Sequence, residues 1–187
     1  MASSRSVISD VPFAKPAWNR LVKIYDDNGT TLVAEYQYDG QGRRVIKGVE
    51  DGTDGNLDTF THFLHNGNQV IETREGDDVS GSAPAAESLD PKYQNVWSPR
   101  YVDALILRDE NTDTDGQCDD GRVYYLSDAN YNVTALVAES SHGQADWAVR
   151  ERYVYDPYGN VTIYNTDWSS TRSSSNYGPF GKKCPMG

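Results

Sequence analysis

The sequence has little cysteine and histidine, two side chains that often act in catalysis and bind transition metals. It contains 2 cysteines and 3 histidines in 187 residues. The cysteines, Cys118 and Cys184, provide neither a disulfide framework nor the ligand spacing of a metal site, so we expect two unpaired thiols. The histidines, His62, His65 and His142, leave little material for catalysis, and we expect no enzyme activity.

Long apolar runs are missing as well. No stretch approaches the roughly 20 apolar residues that a membrane-spanning helix requires. Residues 1–16 lack the apolar middle of a secretory signal. Long runs with apolar residues three and four positions apart are also missing, which argues against amphipathic helices. We therefore expect no membrane span and very little helix.

Basic residues are the minority among the charged side chains. Lys and Arg number 17 against 28 Asp and Glu, which gives a formal net charge of -11. Such a surface repels nucleic acid and anionic membranes, so neither is expected as a partner. It suits cations, or keeps the chain in solution.

Tyrosine and glycine are plentiful, with 13 tyrosines against 4 phenylalanines and 16 glycines. The pattern Tyr-x-Tyr-Asp-x-x-Gly stands at residues 36–42 and again at 153–159. In an extended chain, residues two apart share a face, so the two tyrosines of each copy form one surface of a strand. Asp in the first and Gly in the fourth position suit a type I turn. Weaker copies begin at Lys23, Phe63 and Tyr125.

Composition divides the chain into three parts. We predict an N-terminal arm at residues 1–16, a β-sheet domain at 17–165 and a Ser/Gly-rich tail at 166–187. The arm is expected to be disordered or to pair with a sheet edge. Within the domain, residues 75–95 are predicted to be an inserted flexible loop, because the composition shifts to Gly, Ser, Ala and acidic residues.

Three passages resemble the Rhs/YD-repeat family, which is named for its recurring tyrosine–aspartate strands. They are residues 35–44, 124–136 and 152–162, and the resemblance spans residues 18–164. In that family the repeats form a long β-sheet that spirals into a hollow shell, as in bacterial polymorphic toxins, insecticidal toxin complexes and the teneurin adhesion proteins. The resemblance implies an all-β fold: antiparallel hairpins in a curved, open sheet with long acidic loops and irregular terminal arms.

In bacterial members, the repeats precede a conserved core that plugs the shell and cuts off a C-terminal toxin. Only the repeats have a counterpart here, so toxin activity is not carried over. We expect a non-catalytic structural or binding module, extracellular or at the cell surface. Its open sheet edges would pair with other copies or with the remainder of a larger YD-repeat protein. Two alternatives stay open: a self-assembling oligomer or fibre subunit, and a glycan hydrolase using Asp39 and Asp156, although both occupy turn-capping positions.

An acidic loop is a candidate calcium site. Its oxygen donors recur at alternate positions with a glycine among them, as in loops that wrap a hard cation: Asn111, Asp113, Asp115, Gln117 and Asp119. The twelfth position is Arg122 instead of a bidentate Glu, so either the shell is incomplete or Asp109 or Asp120 completes it. The alternative is a solvated acidic hairpin tip without an ion.

The tyrosine pairs are candidate glycan contacts, because aromatic faces pack on sugar rings and the hydroxyl adds a polar tip. The residues concerned are Tyr36, Tyr38, Tyr153 and Tyr155. The alternative is a cross-strand ladder that holds the sheet together.

Overall fold

A computed structural model describes residues 13–14, 20–50, 52, 55–77, 83–84, 89–101, 103–139 and 146–175. These residues form an all-β protein without helices, and so without a helix that is long and apolar enough to cross a membrane. Their 13 strands follow one another in chain order in an open sheet. The strands are β1 Phe13–Ala14, β2 Lys23–Tyr25, β3 Leu32–Tyr38, β4 Arg44–Val49, β5 Thr59–Asn66, β6 Gln69–Asp77, β7 Pro91–Trp97, β8 Leu105–Glu110, β9 Gly121–Ser127, β10 Val133–Ala138, β11 Ala148–Tyr155, β12 Val161–Tyr164 and β13 Thr171–Arg172. The expected all-β, antiparallel, open architecture is confirmed for these residues.

The chain divides into two compact units. Unit 1 comprises Met1–Asn68 and Thr73–Asp90, and unit 2 comprises Gln69–Glu72 and Pro91–Gly187. Strand β6 contributes to both units. The sequence predicts a single sheet domain, and it contains no composition break that marks this division inside a strand.

One turn closes the hairpin between β11 and β12 in the way that its sequence predicts. The Asp156 amide donates to the Asn160 carbonyl at 3.0 Å, and the Gly159 amide donates to the Asp156 carbonyl at 3.0 Å. The Asp156 carboxylate accepts from the amides of Tyr158 and Asn160, each at 2.8 Å. Gly159 has φ 83°, a left-handed conformation that glycine adopts without steric cost. The aspartate thus caps the turn.

Four further connections in the described chain repeat the bond from the fourth amide to the first carbonyl, and the amide of their first residue donates to a carbonyl four or five residues later. They begin at Asp26, Asp39, Asp128 and Asn165. Their fourth residues all have positive φ: Gly29 (72°), Gly42 (79°), Tyr131 (61°) and Trp168 (66°). The weak copy predicted at residues 63–69 does not belong to this set, because β5 continues through Asn66.

The largest buried cluster belongs to unit 2 and lies on one face of its sheet: Leu105, Val123, Tyr125, Leu136, Ala138, Tyr153 and Ile163. Strand register brings these residues together. Leu136 lies opposite Tyr125 on one side and Glu151 on the other, and Tyr153 lies opposite Ile163. The neighbouring strands therefore bury the face of β11 that carries Tyr153, and Glu151 is buried on the same face.

Strands reach into the predicted loop, tail and arm. Strand β6 extends to Asp77 and β7 begins at Pro91, so both reach into the predicted loop at 75–95. Strand β13 lies in the predicted tail and pairs with β12. Strand β1 lies in the predicted arm and pairs with β2, one of the two outcomes expected for it. Composition misplaces such ends because pairing with a neighbouring strand satisfies the backbone whatever the side chains are.

Candidate functional site

Unit 1 contains an open cavity of about 270 Å³ on one face of β3 and β4. Its lining consists of Glu35, Gln37, Ile46, Gly48, Leu57, Phe60 and Ala83. Glu35 and Gln37 are two residues apart on β3 and so share a face, and Gly48 and Ile46 lie opposite them on β4. A carboxylate and a primary amide thus form the polar wall of the cavity, and aliphatic and aromatic groups form the rest.

Gly48 allows close packing beside this cavity. A Cβ atom there would lie 2.8 Å from Phe60 Cε1 and 2.9 Å from Leu57 Cδ1, so a larger residue would displace both side chains. On the polar wall, Lys23 Nζ lies 3.1 Å from Glu35 Oε2. Because this ammonium group balances the carboxylate, the cavity wall has no net charge and suits a neutral polar ligand better than an ion of either sign.

Tyr36 and Tyr38 lie on the face of β3 opposite to the cavity. The guanidinium of Arg44 lies over the Tyr36 ring at 5.4 Å from its centroid, and Arg20 lies over Tyr38 at the same distance. The Tyr38 hydroxyl donates to the Leu21 carbonyl at 2.8 Å. An arginine side chain therefore covers one face of each ring, which leaves less ring surface on which a sugar could stack.

Tyr153 and Tyr155, the other two candidate glycan contacts, belong to the buried side of unit 2. Tyr153 is only 3% exposed. Tyr155 is half-buried and packs against the core cluster. Burial raises the pKa of both phenols, and for Tyr153 the hydrogen bond to Glu151 adds to the shift. In this structure Tyr153 is a core residue that presents no ring face to a ligand.

Glu151 is the polar group that sequence reasoning missed, and its side chain is 0% exposed. The Tyr153 hydroxyl donates to Oε2 at 2.6 Å, and Ser175 Oγ donates to the same atom at 2.6 Å. Arg172 Nη1 lies 3.3 Å from Oε1. We call these four residues the Glu151 clamp. The only signal in the sequence is the spacing of Glu151 two residues before Tyr153, which is compatible with a shared face.

The acidic loop uses the predicted calcium donors to hold its own backbone. Asn111 is buried, and its Oδ1 accepts from the Thr114 amide at 2.7 Å. Asp113 Oδ1 accepts from the Asp115 amide at 3.2 Å. Asp115 accepts from the Gln117 amide at 2.8 Å and from its side chain at 3.3 Å. These are turn-capping contacts of the kind that Asp and Asn make in loops.

The two carboxylates proposed to complete the shell are also engaged. Asp109 forms a two-pronged pair with Arg122 at 2.6 and 2.8 Å. Asp120 Oδ2 accepts from the amides of Thr112 and Asp113 at 2.5 and 3.0 Å. Among the described residues, no three His, Cys, Asp or Glu side chains are grouped to hold a metal ion. Calcium binding, including any role of Asp119, stays a prediction.

The remaining reactive side chains do not form a catalytic arrangement in the part of the chain that is described. Cys118 is half-buried in the acidic loop, and burial, followed by the charges of Glu72 and Asp109, raises the pKa of its thiol to about 11. His65 Nε2 lies 3.1 Å from the Arg44 carbonyl oxygen on the neighbouring strand. Cys184 and His142 lie outside the described residues.

Comparison with family models finds no match for this chain, and comparison with curated proteins finds no similar sequence. The resemblance to YD-repeat proteins therefore rests on the motif residues alone.

Proposed function

We propose that this chain is a non-catalytic structural and binding module of the YD-repeat type, at the cell surface or outside the cell. The observation that carries the proposal is the aspartate-type turn, whose backbone bonds recur at five described connections, starting at Asp26, Asp39, Asp128, Asp156 and Asn165. A chain built from one repeated strand-and-turn unit suits a structural role, since each unit needs its neighbours to bury one of its faces.

The carboxylates also favour a scaffold over a hydrolase. Asp39 and Asp156 each cap their own turn, and the pKa of each is lowered. A general acid in glycoside hydrolysis needs a raised pKa and a partner carboxylate beside the substrate. Glu151 is the fully buried carboxylate, and it faces the core instead of a cleft.

For the binding role, we propose a neutral glycan unit as the ligand of the unit 1 cavity. Glu35 and Gln37 offer acceptors and donors for hydroxyl groups, while Ile46 offers apolar contact for ring carbons. The cavity is preferred to the tyrosine pairs because Tyr153 is buried and Arg44 covers Tyr36.

Neighbouring residues on β3 provide a matched test of the binding role. The full chain is screened on a glycan array, and the best ligand is titrated against Gln37→Ala and Tyr36→Ala. Loss of one or two hydrogen bonds in Gln37→Ala should weaken binding about tenfold, whereas Tyr36→Ala should bind like the wild type. The opposite ranking would assign the glycan to the tyrosine face, and an array without binding would remove the glycan from the proposal.

The non-catalytic assignment is tested separately, by measuring enzyme activity. The full chain should show no turnover on a panel of glycoside, peptide and phosphodiester substrates. Turnover that disappears in Asp156→Asn, and is retained in Tyr158→Ala in the same turn, would overturn the non-catalytic assignment.

A further inference from the structure

The last described segment of the chain, residues 171–175, reaches back across the sheet, and we call it the strap. Among the described residues, its strand, β13, pairs with β12 alone, through Arg172 opposite Ile163 and Thr171 opposite Tyr164. Its polar contacts lie one strand further on, at Glu151 of β11. The strap is therefore held by two backbone pairings with β12. It also places the Arg172 guanidinium and the Ser175 hydroxyl against Glu151 on the buried face.

The Glu151 clamp makes this docking selective. A carboxylate that is 0% exposed is costly to leave without charged or hydrogen-bonding partners. The strap supplies two of its partners, Arg172 and Ser175, which are three residues apart. The edge of β12, together with Glu151, is thus a docking site for an edge strand that carries arginine followed three positions later by serine.

The connection that holds the strap, residues 165–170, differs most in sequence from the other copies of the recurring turn, and we call it the hinge. Asn165 replaces the capping aspartate, and Trp168 takes the positive-φ position that glycine occupies in three of the other copies. The bond from the Trp168 amide to the Asn165 carbonyl is long, at 3.4 Å. A bulky residue with φ 66° is strained, and the Trp168 ring contacts Tyr164 at 5.3 Å between ring centroids and Arg152 at 5.1 Å from its own centroid. Opening of the hinge releases the backbone strain.

We propose that two copies of this chain exchange their straps. The hinge opens into an extended segment, and the strap of one copy pairs with β12 and enters the Glu151 clamp of the other. The same contacts form between copies as within one, so the clamp contributes equally to both forms. Relief at Trp168 and rising concentration then favour the dimer. The proposal does not depend on glycan binding or on the YD-repeat assignment, since it uses only unit 2.

Complementation between two full-chain variants tests the exchange. Glu151→Gln weakens the clamp but keeps an intact strap, whereas the double variant Arg172→Ala/Ser175→Ala keeps Glu151 but has a disabled strap. Neither can rebuild the full set of contacts alone. When mixed and refolded together, they should form a heterodimer of twice the 20.8 kDa chain mass, visible by light scattering and by a later melting transition. A mixture with the masses and melting curves of its separate components would overturn the proposal.

A substitution in the hinge tests the exchange without touching the clamp. Trp168→Gly removes the strain from the closed turn, so it should lower the dimer fraction of the otherwise wild-type chain about tenfold. Tyr131→Gly makes the equivalent change in an internal turn and should leave the dimer fraction unchanged. Equal effects of the two changes, or a wild type that stays monomeric at every concentration, would rule out strap exchange.

Discussion

Residues 36–42 and 153–159 have the same motif and form the same turn, one in each unit. In both, the aspartate carboxylate caps two backbone amides: Asp39 accepts from Gln41 and Arg43, as Asp156 does from the equivalent positions. The two glycines have nearly the same φ, 79° and 83°. The local sequence therefore determines the local geometry in two different surroundings.

The strands before these turns are used differently. Tyr36 is half-buried beneath an arginine, whereas Tyr153 is almost fully buried and donates to Glu151. The residue two positions earlier accounts for the contrast, because Ala34 precedes Tyr36 and Glu151 precedes Tyr153. Alanine needs no polar partner, while a buried carboxylate requires several. The motif specifies the turn, and the residue two positions before its first tyrosine determines whether that tyrosine has a buried polar partner.

The largest expected effect separates the buried carboxylate from an exposed one. Glu151→Gln removes a buried charge that is paired with the one-third exposed Arg172 and accepts hydrogen bonds from Tyr153 and Ser175, so it should lower the free energy of unfolding by about 2–4 kcal/mol. Glu35→Gln breaks a partly exposed pair with Lys23 and should cost about 0–1 kcal/mol. Urea unfolding of both variants measures the difference. Similar losses would show that Glu151 is not the anchor of unit 2.

A smaller effect compares the two tyrosines themselves. Tyr153→Phe removes a hydrogen bond to a buried charged group, which should cost about 1.5–3 kcal/mol. Tyr36→Phe removes a hydroxyl that has no hydrogen bond among the described residues, and the free energy of unfolding should change by no more than about 0.5 kcal/mol. Thermal unfolding tests the pair, and a larger loss for Tyr36→Phe would reverse the comparison.

The glycines of the two turns should differ by less. Alanine at φ near 80° is strained, so Gly42→Ala and Gly159→Ala should each cost about 1–2 kcal/mol. Gly42→Ala should be the worse of the two, because its Cβ atom would lie 1.8 Å from Arg20 Nη2 and would push that side chain off the Tyr38 ring. Equal melting temperatures would mean that Arg20 moves without loss.

The smallest effect is a shared dependence on acid. Hydrogen bonds from the Asn160 side chain and backbone lower the pKa of Asp156. For Asp39, burial opposes ionisation, but bonds from Arg43 outweigh it and also lower the pKa. A carboxyl whose pKa is lower in the folded state than its ordinary value of about 3.9 stabilises the fold above that value. This stabilisation is lost as the pH falls through the lowered pKa.

Unfolding measured between about pH 2 and pH 6 should therefore show reduced stability at the acid end. Asp156→Asn and Asp39→Asn should flatten this acid limb to a similar extent, because both carboxylates cap the same turn. A flattening in only one variant would show that the two turns are not equivalent.

The turns could be predicted from sequence because their chemistry is local. Aspartate and glycine three residues apart suffice to specify the bonds at Asp39 and Asp156. The copy at Asn165 escapes the same search because asparagine and Trp168 replace both diagnostic residues, although the backbone bonds are retained. The calcium prediction has the reverse difficulty, since alternating Asp and Asn side chains serve turn capping and ion binding equally well.

The Glu151 clamp could not be predicted, because it depends on register and on a distant segment. Val149 and Glu151 are two residues apart, yet they pair with the adjacent residues Val137 and Leu136, which point to opposite faces. The bulge at this point turns Glu151 inward. Its partner Ser175 lies in a Ser-rich stretch whose composition indicates a tail. No local pattern contains either fact.

Cys118 has a consequence for the redox chemistry of the chain. With a pKa of about 11, on the order of one thiol in ten thousand is ionised at pH 7. Oxidation and disulfide exchange proceed through the thiolate, so both are slow at this sulfur. Burial first, and the surrounding carboxylates second, thus keep the Cys118 thiol protonated, so this sulfur should react slowly with oxidants and disulfides at neutral pH.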